Sequence, residues 1–308
     1  MPLLHRRLAP AEMYPAGEQG IRVYYLRLPS GLRLRVLECG PARGEPVLLI
    51  PGWAASVYLY RKNIHAVAAT GHRVVALDLP GQGLSDKPEA LDVYTTDGMV
   101  THVRAAMDAL DLERPVVVGT SMGGGIALEI GLRAPERVRA LALINPVGLG
   151  TVRVLPVAHL RLPHAVVRVL PRRLLPHLVP RWLVALALRS IYGHVTRPSA
   201  RDVDEYWAPS QFPGYVLAAY ALLRAYSWRP LTDERLAGLR VPVLAVLGGA
   251  DPLLNARVSE QRVRLMPGAV CAVIPRAGHA ANEEAPEETN AALARFLDEV
   301  RGLAPVTA

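Results

Sequence analysis

A serine with glycines on both sides stands between a β-branched apolar run and a small-residue helix. Gly119, Ser121 and Gly123 follow the run Val116-Val117-Val118. This order predicts a buried strand, a tight turn with the serine at its apex, and a helix over 124–134. Glycine is needed there, since a Cβ would meet the neighbouring strand or helix. The free N–H groups of the helix N-terminus would then face an oxyanion formed by attack of the serine.

A serine hydroxyl needs a base and an orienting carboxylate before it can act as a nucleophile. Asp251 lies in the turn that leaves the predicted strand 243–247, and His279 lies in the loop that leaves strand 270–274. Both residues therefore follow the carboxyl ends of strands, at the edge of an open α/β sheet where ligands bind. The chain order Ser, Asp, His favours one shared site for the three side chains.

A donor for the oxyanion is the remaining part of such a site. The predicted strand 47–50 ends in Pro51-Gly52-Trp53, before the serine turn in the chain. The backbone N–H groups of Trp53 and Met122 are the expected donors, because both loops would reach the same edge of the sheet.

Together these motifs resemble the α/β-hydrolase family, and the resemblance covers nearly the whole chain. The matching stretches are the loop at Gly52, the serine turn, the Asp251 loop, the segment 278–287 and the run Asp78-Leu79-Pro80-Gly81-Gln82-Gly83-Leu84-Ser85. The resemblance implies an α/β-hydrolase fold, with a mostly parallel sheet, helices on both faces and a helical cap inserted after the sixth strand.

The resemblance also implies roles for single residues. Ser121 would be the nucleophile, His279 the base and Asp251 its orienting acid, and the N–H groups of Trp53 and Met122 would form the oxyanion hole. The family usually has histidine where this chain has Pro51. That proline leaves the oxyanion donor in place, because the donor lies two residues later. Asp78 and Ser85 match a structural loop of the family and are not counted as catalytic.

The implied activity is that of a serine hydrolase that cleaves carboxylic esters with a hydrophobic acyl or alcohol part, without a metal or organic cofactor. Two alternatives would use the same three residues, namely a carbon–carbon bond hydrolase of the meta-cleavage-product type and a cofactor-free perhydrolase or haloperoxidase. An alternative of another class is a non-catalytic protein that binds a small molecule on this fold. Turnover of p-nitrophenyl esters would separate an enzyme from a binding protein.

Predicted strands and helices alternate along most of the chain, which favours a mostly parallel sheet covered on both faces. The alternation stops between residues 150 and 230, where prolines interrupt a strand-free stretch. We therefore predict a core domain from 1–149 and 231–308, with a helical cap at 150–230.

Composition excludes several classes of protein. The chain has 308 residues and only two cysteines, Cys39 and Cys271, without a metal-ligand spacing. This predicts neither a disulfide framework nor a zinc site. The N-terminal residues lack the apolar core of a signal peptide, and no apolar stretch reaches the ~18 residues of a membrane span. We expect a cytoplasmic protein, with contact to a membrane surface as an open alternative.

Positive charge is concentrated in the predicted cap. Residues 151–200 contain no Asp or Glu, and their formal charge of +8 equals that of the whole chain. One interpretation is a cap that rests on an anionic membrane or gathers acidic substrates, and the other is an ordinary solvated surface. Nucleic-acid binding is not expected, since no binding module is recognisable. The arginines are Arg153, Arg161, Arg168, Arg172, Arg173, Arg181, Arg189 and Arg197.

Overall fold

The computed structural model describes residues 6–153 and 175–303. Within these ranges eight strands form one sheet in the order β1-β2-β4-β3-β5-β6-β7-β8. The pairs β1–β2 and β2–β4 are antiparallel, and the other neighbouring pairs are parallel. The predicted mostly parallel sheet is confirmed. The strands are β1 (Ile21–Arg27), β2 (Arg33–Cys39), β3 (Pro46–Ile50), β4 (Arg73–Leu77), β5 (Val116–Thr120), β6 (Ala140–Ile144), β7 (Val243–Gly248) and β8 (Val270–Ile274).

The central strands are mostly apolar, and both faces of the sheet are covered. Every residue of β5 and β6 is buried. Alternate side chains of each strand point to opposite faces, so Leu48 and Val117 belong to one buried cluster and Val47 and Val118 to the other. This division holds the sheet between two apolar layers.

Helices supply the outer part of each layer. Helices α2 (Thr96–Ala109), α3 (Met122–Arg133), α7 (Asp233–Ala237) and α8 (Ala256–Val263) pack on one face. Helices α1 (Ile64–Ala69) and α10 (Pro286–Glu299) pack on the other. A short helix, α9 (Ala281–Glu284), precedes α10. None of the described helices is both long enough and apolar enough to cross a bilayer.

Residues 150–230, which we call the inserted segment, connect β6 to β7. Its described parts, 150–153 and 175–230, contain no strand and form helices α4 (Arg181–Ile191), α5 (Ala200–Trp207) and α6 (Tyr215–Ala225). Four of the arginines counted above, namely Arg161, Arg168, Arg172 and Arg173, lie outside the described residues.

Two helix starts differ from the sequence-based expectation. The sequence predicts a helix over 60–69, but the observed helix begins only at Ile64, after a 3-10 turn, Val57–Tyr60. In that turn Tyr60 is buried and its hydroxyl donates to the Ile50 carbonyl at 2.7 Å. The helix after the serine begins at Met122, two residues earlier than the glycines suggested.

Candidate active site

Ser121 lies at a sharp turn between β5 and α3. Its backbone has φ 54° and ψ −117°, a conformation that L-residues rarely adopt. The N–H group of Ser121 donates to the Ile144 carbonyl at 2.9 Å, and its carbonyl accepts from the Val147 N–H at 2.9 Å. These bonds tie the turn to the end of β6, so the strained conformation is held from outside.

The glycines on both sides of the serine leave room for close backbone contacts. A Cβ at Gly119 would lie against the Gly123 carbonyl, and a Cβ at Gly123 would lie against the Ile50 carbonyl of β3. The predicted reason for these glycines, a collision with neighbouring backbone, agrees with this geometry.

The structure brings the three predicted side chains together in one row. His279 Nε2 lies 2.8 Å from Ser121 Oγ, and His279 Nδ1 lies 2.7 Å from Asp251 Oδ2. The side chains of His279 and Asp251 are 9% and 1% exposed, so water has little access to the bond between them. An ionised carboxylate only accepts hydrogen bonds, so the Nδ1–H group donates to Asp251. In a neutral ring this leaves Nε2 free to accept the serine proton.

Asp251 is fixed by the turn that follows β7. Its second oxygen, Oδ1, accepts from the backbone N–H groups of Leu253 at 2.7 Å and Leu254 at 3.1 Å. The carboxylate therefore has a partner on each oxygen, and its orientation toward the imidazole is fixed.

Sequence reasoning did not identify Asn145 as part of this site. Asn145 directly follows β6, and its amide N–H groups donate to the carbonyls of Gly278 at 3.0 Å and His279 at 2.9 Å. Its Oδ1 accepts from the Gly248 N–H at 2.8 Å. Asn145 thus links the ends of three neighbouring strands. The sequence offered one signal that Asn145 belongs to the site, namely its position after a buried strand, at the same edge of the sheet as Asp251.

The inserted segment contacts the backbone of the histidine loop. The His279 N–H donates to the Ile191 carbonyl at 2.8 Å, and the His194 N–H donates to the Arg276 carbonyl at 2.7 Å. Residues 191–194 therefore run beside the loop that carries the histidine, and they fix its main chain.

Glu284 bridges these two stretches of backbone. One carboxylate oxygen accepts from the Gly193 N–H at 2.7 Å, and the other accepts from the Gly278 N–H at 2.8 Å. Burial raises the pKa of Glu284, and the neighbouring carboxylates of Glu283 and Asp251 act in the same direction, while the two N–H donors oppose the shift. Sequence reasoning did not assign this function to Glu284.

A buried polar cluster lies next to this bridge. Glu283 forms an ion pair with Arg61 and accepts from the hydroxyls of Tyr192 and Tyr206, each at 3.0 Å. Arg61 also pairs with Asp202 of α5 at 2.6 Å. The cluster joins helix α9, the region before α1 and the inserted segment by charged hydrogen bonds.

The loop after β3 lies on the other side of the serine. A Cβ at Gly52 would lie 3.1 Å from the Ser121 Cβ and 3.7 Å from its Oγ. The N–H groups of Trp53 and Met122 have no acceptor among the described residues. For Met122 this follows from its position, since the first N–H groups of a helix lack intrahelical partners. Met122 directly follows the serine and Trp53 follows Gly52, so both predicted oxyanion donors belong to backbone beside the serine, and neither N–H has an acceptor in the part of the chain that the structure describes.

Helix α6 of the inserted segment contacts this loop through side chains. The indole N–H of Trp53 donates to the Ala219 carbonyl at 3.0 Å, and the Tyr215 hydroxyl lies 3.4 Å from the Ala54 carbonyl. The Trp53 ring also meets Trp228 edge to face, with 6.4 Å between ring centroids. The side chain of Trp53 is 37% exposed, so this contact is partly open to solvent.

Metal ligands do not converge in this part of the molecule. Within 6–153 and 175–303 there is no group of three His, Cys, Asp or Glu side chains that could hold a metal ion.

Comparisons with known proteins agree with the fold. A family model described as the alpha/beta hydrolase fold matches residues 45–286. The dihydrolipoyllysine-residue acetyltransferase component of the acetoin cleaving system of Pseudomonas putida is 32% identical over 270 residues, which cover 87% of this chain and 67% of that protein. Epoxide hydrolase A of Mycobacterium tuberculosis is 27% identical over 307 residues, covering 87% of this chain and 95% of that protein.

A solved structure extends this likeness to three dimensions. The carboxylesterase CesB of Bacillus subtilis superposes with a TM-score of 0.75 at 22% identity, over 92% of this chain and 93% of that chain. At this level of identity the likeness shows the shared fold.

Proposed function

The chain belongs to the α/β-hydrolase fold family, and from that premise we propose that it is a serine hydrolase of carboxylic esters with a hydrophobic acyl or alcohol part. The observation that carries the proposal is the row of hydrogen bonds from Asp251 through His279 to Ser121. A relative named as an epoxide hydrolase supports hydrolase activity at the coarser level.

The proposed reaction begins with attack of Ser121 Oγ on the ester carbonyl carbon, while His279 Nε2 takes the serine proton. The carbonyl oxygen becomes an oxyanion and accepts hydrogen bonds from the N–H groups of Trp53 and Met122. The intermediate then expels the alcohol, which receives the proton from His279. Asp251 stabilises the imidazolium that exists between these two proton transfers.

Water completes the cycle. His279 takes a proton from water as its oxygen attacks the acyl-serine ester, and a second oxyanion forms in the same place. Collapse of that intermediate releases the carboxylic acid, and the proton returns from His279 to Ser121.

A serine at the turn favours acyl chemistry over the opening of epoxides. Attack of a serine hydroxyl on an epoxide carbon would leave an ether, which a histidine-activated water does not cleave. Attack on a carbonyl leaves an ester, which water cleaves. The function in the name of the epoxide hydrolase relative is therefore not carried over to Ser121.

We also propose that the inserted segment acts as a cap over the site, with residues 1–149 and 231–308 as the core domain. The contacts of Ile191 with His279 and of Ala219 with Trp53 support this, because through them two helices of the segment contact the two loops of the site.

Hydrolysis of p-nitrophenyl acetate, butyrate and octanoate by the wild-type and Ser121→Ala proteins tests the proposal. We expect turnover by the wild type and a loss of about 1,000-fold or more in the variant. Ser30→Ala is the matched control, since Ser30 is exposed in the turn between β1 and β2. Residual activity of Ser121→Ala within about tenfold of wild type would contradict the assignment. No turnover of any ester by the wild type would favour the non-catalytic alternative.

A further inference from the structure

Helix α4 carries an exposed apolar row that folding does not require. Leu178, Trp182 and Leu186 are 55%, 67% and 58% exposed, which makes them the three most exposed large apolar side chains of the described residues. Trp182 and Leu186 are four residues apart, so they lie on one face of the helix. Leu178 comes just before the helix, in a 3-10 turn.

The helix as a whole is apolar and yet weakly packed. Of its residues only Leu188 is buried. A helix on a protein surface normally has polar side chains on its outer face. Here the outer face has Trp182 and Leu186 instead, which indicates a partner that is itself apolar.

Arginine provides the charge of this face. Arg189 lies three residues after Leu186, on the same side of the helix, and its side chain is exposed. Arg197 is exposed nearby, where its guanidinium donates to the Gly193 carbonyl at 3.3 Å. We call Leu178, Trp182, Leu186 and Arg189 the α4 surface.

The acidic side chains in the described part of the inserted segment all form ion pairs with arginines. The described part of the inserted segment has three acidic residues, and each is paired with an arginine. Asp202 pairs with Arg61, Asp204 with Arg181, and Glu205 with Arg201. The charge left on the described part of the inserted segment is therefore positive.

We propose that the α4 surface docks on an anionic lipid bilayer. A helix with Trp and Leu on one side and arginine at its margin matches an element that lies in the membrane interface, where the ring and aliphatic chains enter the acyl boundary and the guanidinium meets lipid phosphates. Leu and Trp supply the apolar contact, and Arg189 supplies attraction to the anionic headgroups.

Charge argues against two other occupants. A second copy would bring the same positive surface, so the two faces would repel each other. Residues 154–174 carry four arginines and no acidic residue, so covering α4 with them would add positive charge to the same face.

Docking would place the candidate active site close to the membrane. Helix α4 ends at Ile191, whose carbonyl accepts from the His279 N–H. If the protein hydrolyses hydrophobic esters, its substrates would be concentrated in the same bilayer. This consequence rests on the proposed function. The docking itself does not depend on hydrolysis.

Cosedimentation with vesicles tests the docking, using the Ser121→Ala protein so that no lipid is consumed. We expect binding to vesicles of phosphatidylcholine mixed with phosphatidylglycerol, and weak binding to phosphatidylcholine alone. Binding should fall with added salt, because salt screens the arginine–phosphate attraction. Replacing Trp182 and Leu186 together by Ser should reduce the partition coefficient by about tenfold or more.

The matched control replaces Val23 and Tyr25 by Ser. These residues are also exposed and apolar, at 43% and 51%, but they lie on β1. The control should bind vesicles as the parent does. Hydrolysis of soluble p-nitrophenyl acetate, measured with Ser121 intact, should be unchanged by both double substitutions, which separates a failure of docking from a failure of the proposed function.

A second measurement needs no double variant. Vesicles with brominated acyl chains should quench the tryptophan fluorescence of the protein, and Trp182→Phe should remove most of that quenching. Equal binding to both kinds of vesicle, no binding, or quenching unchanged in Trp182→Phe would overturn the proposal. A concentration-dependent dimer that the double substitution abolishes would also overturn it, in favour of a second copy as occupant.

Discussion

Two of the contacts between the inserted segment and the candidate active site differ in kind. At His279 the contact consists of backbone hydrogen bonds, with Glu284 buried between Gly193 and Gly278. At Trp53 it consists of one indole N–H bond, a longer hydroxyl contact and an aromatic edge that is partly exposed. We infer that the inserted segment holds the proposed base, His279, in one position, while the loop that carries Trp53 tolerates change.

Replacing Gly193 by Ala would break the contact at the histidine most directly. A Cβ at Gly193 would lie against the Arg276 carbonyl and the Gly278 backbone nitrogen. Both are backbone atoms, so either the histidine loop or residues 191–194 must shift. A displacement of about 1 Å in a catalytic group can lower the rate about 100-fold, and we expect a loss of that size in kcat/KM for p-nitrophenyl butyrate.

Gly150→Ala is the control for this change. It lies in the same segment, and its Cβ would meet only the Ser259 Oγ at 3.8 Å and the Val258 Cγ1 at 3.9 Å, which are ordinary contacts. Its activity should match that of wild type. If Gly193→Ala also kept wild-type kcat/KM, the two backbones would not constrain each other and the comparison would fail.

Glu284→Gln tests the bridge itself, with a smaller expected effect. The amide keeps one acceptor oxygen, but its NH2 group would face an N–H donor of Gly193 or Gly278, so one of the two hydrogen bonds is lost. We expect kcat to fall about tenfold with little change in KM, because the substitution acts on the position of His279 and not on the substrate.

Glu288→Gln is the matched control, since Glu288 is exposed on α10 and makes no contact with the histidine loop that the structure describes. The split between kcat and KM separates positioning from substrate binding. An increase in KM at constant kcat would indicate that Glu284 acts on the substrate side, against the bridge described above.

Trp53→Phe tests the contact on the oxyanion side. Phenylalanine keeps the backbone N–H and an aromatic edge for Trp228, but it loses the bond from the indole N–H to the Ala219 carbonyl. The loop retains its neighbour Tyr215, so we expect kcat to fall only about threefold. Trp207→Phe is the control, because it also removes an indole hydrogen bond, to the Val179 carbonyl, within the inserted segment. A loss above about 100-fold in Trp53→Phe would reverse the proposed order of the two contacts.

The predictable part of the site follows from the geometry of parallel sheets. Ser121 and Asp251 follow the buried strands β5 and β7, His279 follows the partly exposed edge strand β8, and the carboxyl ends of parallel strands meet at one edge. The apolar runs and the turn residues after them were visible in the sequence, so their meeting could be foreseen. Asn145 obeys the same rule, but an amide after a strand carries no catalytic signature by itself.

The contacts of the inserted segment could not be predicted in this way. Glu284 and Gly193 are 91 residues apart, and their bond depends on how the segment returns to the sheet. The local pattern around Gly193 contains nothing that points to residue 284. Similarly, the helix predicted to begin at residue 60 begins only at Ile64, and Tyr60 lies instead in a 3-10 turn from which its hydroxyl reaches Ile50 and Thr120 in the core. Tertiary hydrogen bonds of this kind override local propensity.

Lys87 offers the smallest effect on activity and a separate test of the oxyanion-side contact. It donates to the carbonyls of Gly83 at 3.0 Å and Ser85 at 2.7 Å, and its Cβ would lie 3.3 Å from a Cβ at Gly214, just before α6. Burial lowers the pKa of Lys87 from 10.5 to about 8, although Asp78 and Asp86 oppose the shift. The folded state therefore disfavours the charged ammonium relative to the unfolded chain.

The sign of the pH dependence follows from this lowered pKa. Between about pH 8 and about pH 10.5 the unfolded chain binds the Lys87 proton and the folded protein does not, so stability rises with pH in that window and the gain is lost as pH falls through 8. The full difference between the two pKa values would correspond to a change of about 3 kcal/mol in the free energy of unfolding. Because water reaches this half-buried side chain, we expect a change of about 1 to 2 kcal/mol.

Urea unfolding of wild type and Lys87→Met at pH values across the window measures this change in the free energy of unfolding. The stability of wild type relative to Lys87→Met should increase with pH, while kcat for p-nitrophenyl butyrate stays within about twofold. A constant difference in stability would mean that the ammonium is well solvated, and that the contact between α6 and the loop after β4 is as open as the contact at Trp53.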